Sequence, residues 1–164
     1  MAGKVKAIPD GFNTLSPHIV VRGGGKAIEF YKKAFGAEEV ARMPGPDGQS
    51  ICHAELKIGN SRLMLADEMP GGEGCACVSP QTTGKTTAVL HLCVEDADSM
   101  YNRAVKAGAK ATMPLMDAFW GDRYGQVTDP FGHVWSIATH KRDLTLEQIQ
   151  KGAQEFFAGV CGKH

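Results

Sequence analysis

The same succession of segments is written twice in this chain of 164 residues. His18-Ile-Val-Val-Arg22 and His91-Leu-Cys-Val-Glu95 both alternate and are rich in β-branched residues, so each reads as a strand. A helical stretch follows each one. Lys26–Phe35 places Ala27, Phe30, Tyr31 and Ala34 on one face; Asp96–Ala107 places Ala97, Met100, Tyr101, Ala104 and Val105 on one face. Asp96 is suited to cap the second helix. Gly36 and Gly108 stand where a left-handed residue would close each one. Three β-like segments then follow in each half, about 38–43, 50–58 and 61–66, then 111–116, 123–128 and 133–139. Internal repetition limits the possible architectures more than any other feature of the chain.

The predicted order is therefore βαβββ twice, an α+β chain read as one domain over 1–164. It comprises a first module over 15–66, a linker loop over 67–86 rich in Gly, Pro, Cys and Thr, a second module over 87–140, and a C-terminal helix over 144–160. Thr145 with Gln148 three residues on is the sign of that helix's start. One helix covers only one face of a four-stranded sheet, so the other face must meet something. Two such modules can set their sheets into a curved trough, and concave sites take small molecules.

Charge excludes several classes. Eighteen basic residues balance eighteen acidic ones, leaving no electrostatic footprint for nucleic acid or an anionic membrane. No apolar run reaches bilayer length and the N-terminus has no signal-like stretch, so a cytoplasmic location is expected. Cys52, Cys75, Cys77, Cys93 and Cys161 are odd in number and irregularly spaced, as reduced thiols would be. Cys75 and Cys77 alone lack a second pair to complete a metal site.

With these elements in place, four stretches carry a resemblance: Ala27–Glu38 "AIEFYKKAFGAE", Leu63–Glu68 "LMLADE", Val94–Ala109 "VEDADSMYNRAVKAGA" and Gly125–His140 "GQVTDPFGHVWSIATH". The chain resembles the vicinal oxygen chelate superfamily, the glyoxalase, bleomycin-resistance and extradiol-dioxygenase group. "FWGDRYG" (Phe119–Gly125), followed by Asp-Pro-Phe-Gly-His, makes it most similar to the PhnB-like branch. The resemblance implies a glyoxalase/bleomycin-resistance-type curved sheet with a small-molecule trough. It does not imply one activity, because the group holds lyases, isomerases, dioxygenases, thiol transferases and drug-sequestering proteins.

Metalloenzymes of the group hold a divalent ion on a histidine from the first strand of each module and a glutamate from the last. Counted without gaps, those positions fall on Ser16, Met64, Val89 and Ser136. Valine cannot ligate, serine is a poor ligand, and thioether is too soft for most of these ions. His18 and His91 each lie two residues beyond the expected histidine position, hence on the same face of their strands. A gap before the helix would put His18 on the ligand position itself. Asp67, Glu68 and His140 are the substitutes at the strand ends. The plain alternative is that both histidines are packed or line a cavity.

The turn Asp129-Pro130-Phe131-Gly132 reads as structural, with Asp129 capping it. Trp135 is expected to face the helices, and Ser136 the trough. Phe119, Trp120, Arg123 and Tyr124 read as a lid or subunit contact. Arg123 pairs either with Asp117 or Asp122 or with an acidic group of a ligand. The Gly23-Gly24-Gly25 run reads as a turn rather than a phosphate loop.

The expected function is a small-molecule binder without cofactor or catalytic metal, probed by His18, Met64, His91, Phe119, Trp120, Arg123, Tyr124 and Ser136. The alternative is a glyoxalase-like metal-dependent lyase or isomerase, in which His18, His91 or Glu68 would move the proton. The expected partners are the small-molecule ligand and a second copy in a homodimer, with neither nucleic acid nor membrane.

Overall fold

A computed structural model describes residues 5–69 and 77–161. Cys75 of the Cys75-x-Cys77 pair lies outside the described residues. The order of elements is β1 (His18–Val21), α1 (Gly24–Phe35), β2 (Glu38–Pro44), β3 (Ile51–Ile58), β4 (Ser61–Asp67), α2 (Pro80–Thr83), β5 (Val89–Cys93), α3 (Ala97–Ala107), β6 (Lys110–Asp117), β7 (Asp122–Thr128), β8 (Val134–His140) and α4 (Leu146–Cys161). The chain is thus an α+β protein with the βαβββ succession in each half. The short helix α2, inside the segment read as a loop, was not expected. Among the described residues no helix is long and apolar enough to cross a membrane.

The chain divides into two compact units, residues 1–87 with 130–132, and residues 88–129 with 133–164. In the first, the strands run in the order β1-β4-β3-β2. β1 and β4 are parallel, whereas β4–β3 and β3–β2 are antiparallel. Helix α1 covers one face. Its Ala27, Ile28, Tyr31 and Ala34 are buried, as are Val21, Ala54, Leu56 and Leu65 on the strands. Tyr31 lies flat on Phe35, ring centres 6.1 Å apart. Phe131 of the Asp-Pro-Phe-Gly turn joins this same cluster, 6.1 Å from both Phe30 and Tyr31, rather than packing under its own turn.

The second unit repeats the plan as β5-β8-β7-β6, again with a parallel first pair. Tyr101 and Ala104 of α3 are buried with Val127, Trp135 and Ile137. Gly125 allows the close approach of α3, since a Cβ there would stand 3.0 Å from the Tyr101 ring. Trp135 faces this side as expected, and its indole N–H donates to Asp129 Oδ2 at 2.8 Å. Helix α4 begins two residues later than the expected 144. The predicted box forms there: the Thr145 N–H donates to Gln148 Oε1 and the Gln148 N–H to Thr145 Oγ1.

The last strand of each module also caps that module's helix. Asp67 Oδ1 accepts from the Gly23 and Gly24 amides at 2.7 Å each, and Oδ2 from the Ile51 amide at 2.7 Å. Its place is taken in the second module by Thr139, whose Oγ1 accepts from the Ala97 amide at 2.7 Å. The Gly-rich entry to α1 therefore already holds a carboxylate of its own, and Gly24 is in close contact: a Cβ there would meet Ile51 Cγ1 at 2.8 Å. Asp67→Ala leaves three amides without their acceptor. It is expected to lower the free energy of unfolding by about 2–3 kcal/mol, read as a drop in the urea midpoint.

Candidate functional site

In each sheet, the side chains that do not face the helix form an open face. On β4, Leu63 and Leu65 point to α1, so Arg62, Met64 and Ala66 point the other way. β1 buries Ile19 and Val21 and presents His18 and Val20. β3 presents His53 and Glu55 between the buried Ala54 and Leu56. The parallel register sets His18 beside Met64, with Glu55 on the far side of Met64. The first-strand position that belongs with Met64 is therefore His18, and the ungapped count that put it on Ser16 is corrected by two residues.

His18 and His53 meet edge to face, ring centres 5.9 Å apart. Burial first, and then the neighbouring His53, hold the His18 pKa below the ordinary 6.5. His53 Nε2 stands 3.6 Å from Glu55 Oε1, and Arg62 Nη1 3.9 Å from Glu55 Oε2. The Arg62 guanidinium also lies 5.6 Å from the centre of the Phe12 ring. Sequence reasoning missed His53. The signal was there, in the alternation of His53 and Glu55 with apolar Ala54 and Leu56.

In the second unit the matching pair is His91 and Ser136, while Val89 stands opposite Val134. The same two-residue correction therefore applies to Val89. His91 Nδ1 is 2.7 Å from the Oγ of the buried Ser136. Tyr124 lies roughly parallel to the His91 ring at 6.3 Å and takes the edge of Trp120 at 5.1 Å. Gln126, opposite Ser136, donates from Nε2 to the Tyr124 hydroxyl at 2.6 Å. The Trp120 indole donates to Asp122 Oδ2 at 2.9 Å. At the end of this face lies an open hollow of about 580 Å³, bordered by Cys93, Glu95, Asp122, Ala138 and His140.

Of the residues singled out in the sequence, His91, Trp120, Tyr124 and Ser136 come together here, and His18 with Met64 on the first sheet. Three others do other work. Arg123 points to the helix side, since it alternates with Tyr124, and makes a two-point bond to Asp98 of α3 at 2.8 and 3.0 Å, with Asp117 at 3.5 Å. Of the two expectations, a ligand contact or pairing within the protein, it is the pairing that is seen: Asp117 was foreseen, and the nearer partner Asp98 was not. Phe119 packs on Phe156 and Phe157, at 5.7 and 6.2 Å, and anchors α4. Glu68 accepts from the hydroxyls of Ser79 and Thr82, both at 2.6 Å, which hold its carboxyl below the usual range. A carboxylate so held is a weak base and a poor proton carrier.

The donor set does not suit a divalent ion. Each module retains an imidazole, but the residue beside it is a thioether or a hydroxyl where a carboxylate would be required. Asp67 is spent on three amides and Glu68 on two hydroxyls. Among the described residues no group of three or more His, Cys, Asp or Glu could hold a metal ion.

A family model for the glyoxalase/bleomycin resistance protein/dioxygenase superfamily matches residues 12–137. The chain belongs to that superfamily. An uncharacterized protein of Mycobacterium bovis is 46% identical over 136 residues, covering 83% of this chain and 89% of that protein. The crystal structure of TioX from Micromonospora sp. ML1 matches with a TM-score of 0.63 at 26% identity, covering 78% of this chain and 98% of that one. A PhnB protein from Bacillus cereus shares the fold, with a TM-score of 0.58 at 15% identity over 77% of this chain and 99% of that one.

Two titrations follow from the geometry. By NMR the His18 ring should titrate below 6.5. His53→Leu should raise its midpoint only part of the way back, because burial is the larger cause. His140 behaves oppositely: Asp143 and Asp122, 3.0 and 2.8 Å from its two ring nitrogens, raise its pKa above 6.5. A raised folded-state pKa contributes stability that is complete below 6.5 and fades as pH climbs through the folded value. The difference in unfolding midpoint between the native chain and His140→Gln should therefore shrink as pH rises from 6.5.

Proposed function

We propose that this protein binds a small organic molecule in a β-trough formed by the open sheet surface, without a catalytic metal. The observation that carries this reading is the pair of registers His18–Met64 and His91–Ser136, in which the second position of each pair is uncharged. A binder has no need of a hard-ion cage, and the remaining side chains suit an aromatic or amphipathic guest. Tyr124 and Trp120 offer ring faces and edges for stacking, Gln126 offers a polar group that fixes orientation, Ser136 holds the His91 ring in place behind them, and the hollow beside Ala138 has the volume of a small-molecule site. We place the protein in the cytoplasm as a homodimer, with the ligand as its other partner and no cofactor.

A second reading, a glyoxalase-like metal-dependent lyase or isomerase, is favoured by one fact: both modules keep an imidazole at the same register. In that case added divalent ion would raise activity and His91→Ala would abolish it.

The experiment is a panel of aromatic and amphipathic compounds followed by quenching of tryptophan fluorescence, with EDTA in one arm and Zn²⁺, Ni²⁺ or Mn²⁺ in the other. Equal affinity in both arms, no consumption of the compound, and weakening of about tenfold in Tyr124→Ala are the expected results. Binding or turnover that depends on the divalent ion would reject the reading.

A further inference from the structure

The donor set that fails as a divalent cage is a good one of another kind. Four side chains on the open face of the first sheet, one from each strand, are nitrogen or thioether ligands. His18 of β1 stands beside Met64 of β4. His53 of β3 stands beside Met43 of β2. These two pairs occupy neighbouring rungs, because Met64 faces Glu55 and His53 lies two residues before Glu55 on the same face. The two imidazoles already converge, edge to face, with 5.9 Å between ring centres. Two rings sharing one ion need a separation of this order. Met64 is half-buried, and its sulfur has room to turn toward the rings.

We propose that His18, His53 and Met64 form a site for a soft monovalent ion, Cu(I) or Ag(I). Thioether sulfur is a soft, neutral ligand that prefers Cu(I) and contributes little to Zn²⁺, Mn²⁺ or Mg²⁺. Imidazole completes a three-coordinate arrangement of no net charge, as a monovalent ion permits. Glu55, opposite Met64 and 3.6 Å from His53 Nε2, borders the site, and Arg62 at 3.9 Å offsets its charge. The site lies wholly within the first module and shares His18 and Met64 with the small-molecule reading above, on which it does not rest: the ion is read by its own uptake, the organic guest by tryptophan quenching.

The test uses the full chain with its thiols blocked by N-ethylmaleimide, since Cys52, Cys77 and Cys93 are exposed and would themselves take up Cu(I). Cu(I) is supplied anaerobically in competition with bicinchoninate, and Ag(I) serves as the redox-inert probe. The expected result is uptake of one ion per chain, with the Met64 methyl and the His18 and His53 ring signals shifting together in NMR spectra of the native chain. Met64→Leu, which keeps volume and fold, and His53→Leu should each weaken binding by at least about tenfold, as loss of a ligand costs no less than loss of an outer-shell partner. Met43→Leu, on the far edge strand, should leave it unchanged. Uptake that disappears on thiol blocking, that is unchanged in both Met64→Leu and His53→Leu, or that yields to Zn²⁺ at equal concentration would overturn the proposal.

Discussion

The parallel pairing of the first strand of each module with its fourth is the constraint on which the other features depend. Parallel neighbours cannot be joined by a hairpin; they need a crossover. Here the crossover consists of the helix and the two strands that follow it, so β4 returns to lie beside β1 and β8 beside β5. The helix is thereby confined to one face. The end of the returning strand arrives at the helix's N-terminus, where Asp67 in one module and Thr139 in the other accept its unpaired amides. The middle of the returning strand brings Met64 to His18 and Ser136 to His91. One pairing fixes the cap, the covered face and the chemistry of the open face together.

Duplication has not kept the two open faces alike. The first carries imidazoles, thioethers and a Glu55–Arg62 contact. The second carries a row of rings, His91, Tyr124 and Trp120, with Ser136 and Gln126 tied to it by hydrogen bonds. The backbone frame tolerates this because the covered faces do the stabilising: Leu56, Leu65 and Tyr31 in one unit, Val127, Ile137 and Trp135 in the other, are nearly removed from solvent. Residues on the open side can then diverge at small cost in stability, which is why membership of this superfamily says so little about what a given member does.

The order of elements was legible because it rests on local signals. The alternation of His18–Val21, the spacing of Ala27, Phe30, Tyr31 and Ala34, and the Thr145–Gln148 box are written within a few residues and were read correctly. So was the opposite facing of Trp135 and Ser136, which needs only the period of a strand. Arg123 shows where that method stops. Its parity was available, but the side on which α3 lies was not, and the partner Asp98 is 25 residues away. His53 was overlooked for a related reason: its alternation with Ala54 marks only a strand face, and it acquires meaning from His18, which reaches it across two strand pairs.

By itself the sequence determined the doubled βαβββ plan, the helix ends and the absence of carboxylates at Met64 and Ser136, because periodicity, capping and residue identity are properties of short stretches. Only the tertiary structure decided that His18 rather than Ser16 stands beside Met64, that Asp67 and Glu68 are already engaged, and that Arg123 serves α3. Register between strands distant in the chain, and the side of a sheet on which a helix packs, are set by how whole surfaces fit once buried, and no single stretch of residues encodes that fit.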